Sequence, residues 1–288
     1  ESAVFRGRSI YLSGDQLTTV EILRGVVNGE TWERVIQLGG EPAEILRKGN
    51  RIACLHLNGV SELKDASPMH DVATVGVRRA AALPAHWNSD QYKLREGPVE
   101  RIAGRMAKRI DLIPVDRFRY GLHVWIDQDT SLLLKSIIAD QRGRALDMFE
   151  FVSIEVGLPL RAEDFAPDNG LQWVPVEQDN VAIKASADWQ PVWLPAGFKA
   201  SRHVVSPPSS AVVAQSYSDG IAAFTLFIEP IAENDEMEGT RQHGATVAVS
   251  YRAPSPNDKW RVTVVGEVPI ETAMQVASSV QRRMSAAP

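Results

Sequence analysis

The chain is expected to be mainly β, an α+β protein with a large antiparallel sheet first and a smaller antiparallel sheet carrying one helix after it. Three observations predict this. From Phe118 to Ile154, β-branched and aromatic runs are broken by turn residues at Asp127–Thr130 and Asp140–Gly143, as in three consecutive antiparallel strands. Turn signals recur about every ten residues through the first third, which suits hairpins and not βαβ units. Only the segment after Pro269 has convincing helical spacing.

Taken in order, Phe5, Gly7, Ser9 and Tyr11 alternate with Arg6, Arg8 and Ile10, a strand with one greasy and one wetter face. Ser13-Gly14-Asp15 turns the chain. Thr18–Val26 and Thr31–Leu38 pair around Asn28-Gly29, a strong hairpin signal. Gly39-Gly40, Gly49-Asn50 and Asn58-Gly59 punctuate further short strands that end near Leu63. Val72–Ala82 loses alternation, turns Ala-rich and precedes Pro84, so a loop and short helix are expected there. Strands resume at Val99–Leu112, Arg119–Ile126, Leu132–Ala139 and Asp147–Val156. Phe165–Asp188 is rich in Pro, Asp and Asn and reads as a connection. We therefore divide the chain into 1–168, a linker at 169–188, and 189–288.

In the second unit, Trp193–Phe198 leads into a strand through Val205, and Ser206–Ser210 is a loop. Val212–Ser216 and Ile221–Glu229 flank Tyr217-Ser218-Asp219-Gly220, read as a hairpin with a type I′ Asp-Gly turn. Gly244–Arg252 and Trp260–Glu267 complete the sheet. Pro269 opens the helix, with Ile270, Ala273, Met274, Ala277 and Val280 spaced to lie across that sheet.

Composition narrows the function. The 288 residues carry a net charge of −5 with the charges interspersed, so there is no basic footprint for nucleic acid. No apolar stretch reaches the about 18 residues that span a bilayer. The single cysteine, Cys54, precludes an intramolecular disulfide; in its apolar strand it reads as a small buried residue, a reactive thiol being the alternative. A start at Glu1 is compatible with a processed secretory protein or with a trimmed chain.

Reactive motifs are missing. There is no Cys-x-x-Cys, His-Glu-x-x-His, phosphate-cradling loop or nucleophile elbow. The six histidines, His56, His70, His86, His123, His203 and His243, have no metal-ligand spacing, so neither a metal nor a cofactor is expected. Asp127 and Asp129 look like turn formers that cap free backbone groups, in preference to a calcium loop. The acidic run at 233–238 reads as a solvated loop. Of the seven tryptophans, Trp32, Trp87, Trp125, Trp173, Trp189, Trp193 and Trp260, three bracket the connection, where core packing and anchoring of a peptide or acyl chain are equally open. A curved sheet of about ten strands with few helices must fill its inner face with its own side chains, a helix or a ligand.

The run Tyr120-Gly-Leu-His-Val-Trp-Ile-Asp127, then Thr130, Leu132–Lys135 and Asp140-Gln-Arg-Gly143, resembles the hairpins of the MucB/RseB family. Leu194–Phe198, Tyr217–Gly220, Phe224, Phe227–Pro230, Gly244–Val247 and Val264–Pro269 resemble it too, as do Phe5-Arg-Gly and Gly40-Glu-Pro42. The resemblance spans nearly the whole chain. It implies a periplasmic regulator of the envelope-stress sigma factor, with a LolA/LolB-like half-barrel and a smaller C-terminal domain. Such a protein binds the periplasmic segment of an anti-sigma factor, shields it from the first regulatory protease, and is released by lipid or lipopolysaccharide. It would not be an enzyme; a lipid or lipoprotein carrier acting alone is the alternative. The aromatic residues Phe5, Tyr11, Trp32 and Trp125 are the candidates for the lipid. For the partner they are Tyr217, Ser218, Asp219 and Gly220, with Arg241 and His243 standing in for basic residues that some relatives carry at the position of Gly244-Ala245. No lipidation cysteine occurs at the start, which suggests a soluble member, and a homo-oligomer remains open.

Overall fold

The structure, a computed structural model, describes residues 3–40, 43–49, 51–56, 89–166, 189–200, 212–231, 238–253 and 260–282, with only the backbone at 51–56. The expected helix near 72–83, the Asn58-Gly59 turn, Trp87, Trp173, the linker at 169–188, the strand through Val205 and the loop at 206–210 lie outside the described residues.

Ten strands make the large sheet: β1 (Phe5–Ser13), β2 (Gln16–Val27), β3 (Glu30–Gln37), β4 (Ala43–Lys48), β5 (Arg51–His56), β6 (Tyr92–Ile102), β7 (Arg105–Pro114), β8 (Gly121–Asp127), β9 (Leu133–Ala139) and β10 (Ala145–Val156). Their order is β5-β4-β3-β2-β1-β10-β9-β8-β7-β6, so the first and last strands of the unit zip together at its centre. The sequence read Val99–Leu112 as one strand. It is two, because Ala103 and Gly104 both take positive φ (48° and 80°) and turn the chain. Asn28-Gly29 makes the expected turn with φ of 50° and 80°. Cys54 lies in β5 opposite Ile45.

Alternation sorts the side chains of the sheet by face. On one, Phe5, Ser9 and Tyr11 of β1 stand with Phe149 and Phe151 of β10, whose rings meet edge-on. On the other, Arg6 and Arg8 reach Glu21, and Leu23, Leu46 and Trp32 pack on Phe165.

The small sheet runs β12 (Lys199–Ala200), β13 (Val213–Ser218), β14 (Ala223–Pro230), β17 (Trp260–Gly266), β16 (Thr246–Arg252), β15 (Gly239–His243). Helix α1 (Ile270–Ser278) starts after Pro269 as expected and packs on β16 and β17 through Ala273, Val276 and Ala277. Three details differ from the sequence reading. Met274 is 39% exposed, and Val280 has left the helix to begin β18 (Val280–Arg282), which pairs with β11 (Trp189–Pro191). The turn at Asp219 is not type I′ either, since only Gly220 has positive φ (99°).

Candidate functional site

The densest polar chemistry among the described residues lies in a seam where the small sheet meets the large one. It begins with the loop between β7 and β8. Asp116 Oδ1 accepts the Phe118 N–H at 2.9 Å, which bends the loop back and aims Arg119 inward. Arg119 has no exposed surface. Its Nε and Nη2 donate to the two oxygens of Asp116 at 3.1 and 2.9 Å. From there it crosses the seam: Nη1 donates to Asp219 Oδ2, and Nη2 to the Ala196 carbonyl at 2.7 Å. The guanidinium also lies over the rings of Tyr92 and Phe198, at 5.6 and 5.3 Å.

Asp219 is the receiving half. Its Oδ1 accepts the Ile221 and Ala222 N–H groups, both at 2.8 Å, and so builds the β13–β14 loop. Its Oδ2 takes Arg119 and the Tyr92 hydroxyl, at 3.2 Å. Burial, then the charge of Asp219, pushes the Tyr92 phenol far above its ordinary pKa, so it stays a donor. One carboxylate therefore shapes its own loop and docks it.

A second contact lies at the β15–β16 turn. Asp147, at the start of β10, accepts the Tyr11 hydroxyl at 3.2 Å and the Ala245 N–H at 3.1 Å. This approach requires glycine at 244: φ is +56°, and a Cβ there would collide with Asp147 Oδ1 and Ser13 Oγ. Between the contacts, Leu112, Leu122 and Ile138 of the large sheet meet Ala245 and Ile221 of the small one. Thr272 Oγ1 donates to the Phe118 carbonyl at 3.0 Å, and Trp193 packs edge-on against Phe118 at 5.1 Å. Of the tryptophans near the connection, Trp193 thus joins the seam, while Trp189 packs on Trp260 at 5.7 Å.

A separate polar group sits out on the sheet. His123 Nδ1 lies 2.7 Å from buried Asp111, which also accepts from Arg109 at 2.7 Å and Arg95 at 2.9 Å. Burial alone would push this carboxyl up, but those hydrogen bonds prevail and hold it at about 2. Asp127 caps Thr130 and pairs with Arg105, the turn role expected of it. No group of His, Cys, Asp and Glu among the described residues is arranged to hold a metal, and no helix there is long and apolar enough to cross a membrane.

The candidate residues separate as follows. Phe5, Tyr11 and Trp125 belong to one buried cluster with Ile22, Phe149 and Phe151. The Trp125 indole donates to Glu100 at 3.0 Å, between Arg109 and Lys135. Trp32 belongs to a different cluster, against Phe165. Tyr217 is buried, stacked on Phe224 in the core of the small sheet. Ser218 Oγ bonds the Ala222 carbonyl, at 2.9 Å, and the Gly220 N–H. Asp219 faces the seam, and Arg241 and His243 are exposed on β15. Sequence reading missed Arg119, Tyr92, Asp116 and Asp147. The available signal was a charged residue at the mouth of an apolar run, at Arg119 and Asp147.

Family models for the MucB/RseB N-terminal and C-terminal domains match residues 1–169 and 183–281. The chain belongs to the MucB/RseB family. It is 33% identical over 287 residues to the sigma factor AlgU regulatory protein MucB of Pseudomonas aeruginosa, covering 98% of this chain and 87% of that one. It is 29% identical over 262 residues to the sigma-E factor regulatory protein RseB of Haemophilus influenzae, covering 89% and 79%. Among solved structures, the MucA/MucB complex of Pseudomonas aeruginosa superposes with a TM-score of 0.77 at 30% identity, over 98% of this chain and 94% of that one. A crystal structure of MucB gives 0.68 at 29% identity, over 98% and 93%. In this MucB/RseB chain, then, the hairpins for which the family resemblance implies partner contact are the ones docked at the seam.

Proposed function

We propose that this protein is a non-catalytic periplasmic regulator. It binds the periplasmic segment of an anti-sigma factor, shields it from regulated proteolysis, and lets go when lipid or lipopolysaccharide occupies the large sheet. The observation that carries this reading is the seam: the loops at Asp219 and Gly244-Ala245 are fastened to the sheet that bears the aromatic cluster. Occupancy of the large sheet and presentation of the partner-facing loops then share one set of bonds. A switch of this kind needs a coupling free energy of about 1–3 kcal/mol. Shifting the Arg119–Asp219 bond, buried on both sides, is sufficient for that. The solved relative with its MucA partner supports the choice of partner class.

The test is digestion of the anti-sigma periplasmic segment by its cognate protease. Adding this protein should slow cleavage, and adding lipopolysaccharide should restore it. Unaltered cleavage, together with extraction of lipid from membranes, would leave a lipid carrier instead. Arg241→Glu with His243→Glu should weaken protection, because these side chains are free to meet a partner whereas Tyr217 is committed to the core.

A further inference from the structure

The two faces of the large sheet differ in what covers them. On the face of Phe5 and Tyr11, Arg24, Glu33 and Arg47 stand opposite one another in a row across β2 to β4, and Glu33 has only 2% of its side chain exposed. The small sheet docks on this same face, because alternation puts Leu112, Leu122 and Ile138 with Tyr11 and Phe149. The opposite face is the outer one. The chain covers part of it: after β10, Leu160 and Phe165 lie over Leu23, Leu46 and Trp32 of β2 to β4.

Strand register lays out the rest of that outer face. One row begins apolar, with Leu17, Leu12, Met148 and Ile137 on β2, β1, β10 and β9. It ends polar, with His123, Asp111 and Arg95 on β8, β7 and β6. Beside the apolar half stand Ile10 and Leu38, whose N–H donates to the Thr19 carbonyl at 2.9 Å. Leu17 is 63% exposed and Leu38 45%. Ile10, Leu12 and Met148 are half-buried and join none of the four buried clusters among the described residues. A single exposed apolar side chain is ordinary, but a contiguous set marks a contact surface.

The polar half is cationic. Asp111 accepts from Arg95 and Arg109 and bonds His123, so its charge is met inside the cluster. Arg95 nevertheless keeps 64% of its side chain exposed, and Lys93, two residues earlier on the same face, is exposed too. Lys93, Arg95 and Arg109 around one carboxylate leave this end positive, in a chain whose net charge is −5. The neighbouring acids are engaged elsewhere: Glu150 holds Lys135 at 2.8 Å, and Glu100 accepts the Trp125 indole N–H at 3.0 Å.

This order, cationic at one end and apolar along the rest, selects among occupants. A membrane surface favours cations all around the apolar residues, whereas here Arg6 and Arg8 beside them are held by Glu21. A second copy would have to present a matching helix, and α1 turns outward only one acid, Glu271, and one large apolar side chain, Met274. We propose that the outer face of the large sheet is a docking surface for an amphipathic helix of a partner protein, acidic at one end and leucine-rich along the rest. Its carboxylates meet Lys93, Arg95 and Arg109, and its apolar side chains seat on Met148, Leu12 and Leu17. Strands about 4.8 Å apart put β6 roughly 29 Å from β2, the length of a helix of about 19 residues. The surface lies on the opposite side of the sheet from the aromatic cluster and the seam.

The test is fluorescence anisotropy with the full chain and three labelled alanine-based peptides of about 20 residues. One carries glutamates in its first two turns and leucines at helical spacing beyond them. In the second, lysines replace the glutamates; in the third, alanines replace the leucines. The first should bind about tenfold or more tightly than either control. Leu17→Asp and Arg95→Gln should each weaken it by about fivefold or more, and roughly 0.5 M salt should remove the effect of Arg95→Gln but not that of Leu17→Asp. Both side chains are mostly exposed, so an unchanged melting curve reports an intact fold. Both variants should still protect the anti-sigma segment from its protease, which separates a failure here from a failure of the function proposed above. Equal binding of the acidic and basic peptides, or an affinity unmoved by both substitutions, overturns the proposal. So does loss of binding only in Arg241→Glu with His243→Glu, which would send the helix to the partner loops. Capture by phosphatidylglycerol vesicles, or self-association, that Leu17→Asp abolishes while the three peptides bind alike would overturn it in favour of a membrane or a second copy.

Discussion

The seam and the Arg24–Glu33–Arg47 row bury the same kinds of groups and treat them in opposite ways. At the seam Arg119 meets two carboxylates and a carbonyl, and Asp219 meets a guanidinium, a phenol and two backbone amides. In the row, a carboxylate and two guanidiniums stand just beyond bonding distance, with Glu33 Oε1 and Arg24 Nε unmatched. Completed buried charges fix one geometry, while incomplete ones cost stability until something completes them. By this logic the seam fastens, while the row leaves its buried charges incompletely paired.

The sharpest way to break the comparison is Asp219→Ala. It leaves a fully buried guanidinium short of a partner, so urea unfolding should show a loss of about 3 kcal/mol and scattering a larger radius. A loss below about 1 kcal/mol would rank the seam with surface ion pairs. Next comes Gly244→Ala, which meets both a positive φ and the oxygens of Asp147 and Ser13. About 2 kcal/mol should go, along with the amide-exchange protection of Ala245.

Asp111 extends the contrast to a completed carboxylate away from the seam. An ordinary aspartate titrates at about 3.9, and here the native value is about 2. A depressed native value means stability that is fully present above about pH 4 and lost as pH falls toward 2. Asp111→Asn should cost about 2 kcal/mol at neutral pH and flatten that acid limb in denaturation curves. The smallest effect has the opposite sign. Burial raises the Glu33 pKa, so its ionised form is penalised at neutral pH, and Glu33→Gln should stabilise the protein by about 1 kcal/mol. A destabilised Glu33→Gln would mean that the row is structural cement.

Much of this was legible in the sequence. Alternation in Phe5–Tyr11, the Asn28-Gly29 turn and helical spacing after Pro269 are local signals, and the structure places them as read. The turn at Ala103-Gly104 was hidden because alanine rarely takes φ of 48°. The seam was less legible, since Arg119 and Asp219 lie 100 positions apart and meet only through the packing of two sheets. Asp219 was visible as a turn former, but its second oxygen, the one that matters across the seam, has no local signature. The row was hidden for another reason: Arg24, Glu33 and Arg47 look like ordinary solvated charges until register shows which way they point.

One consequence follows from the burial of Arg119 and Asp219, neither of which has any side-chain surface in contact with water. Mobile ions screen only what they can approach, and at physiological strength they act over roughly 8 Å of solvent. The fastening is thus indifferent to osmotic swings that would scramble surface pairs such as Arg252 and Glu238, at 3.7 Å. Changes of salinity should therefore leave this fastening in place while they loosen charge pairs on the surface.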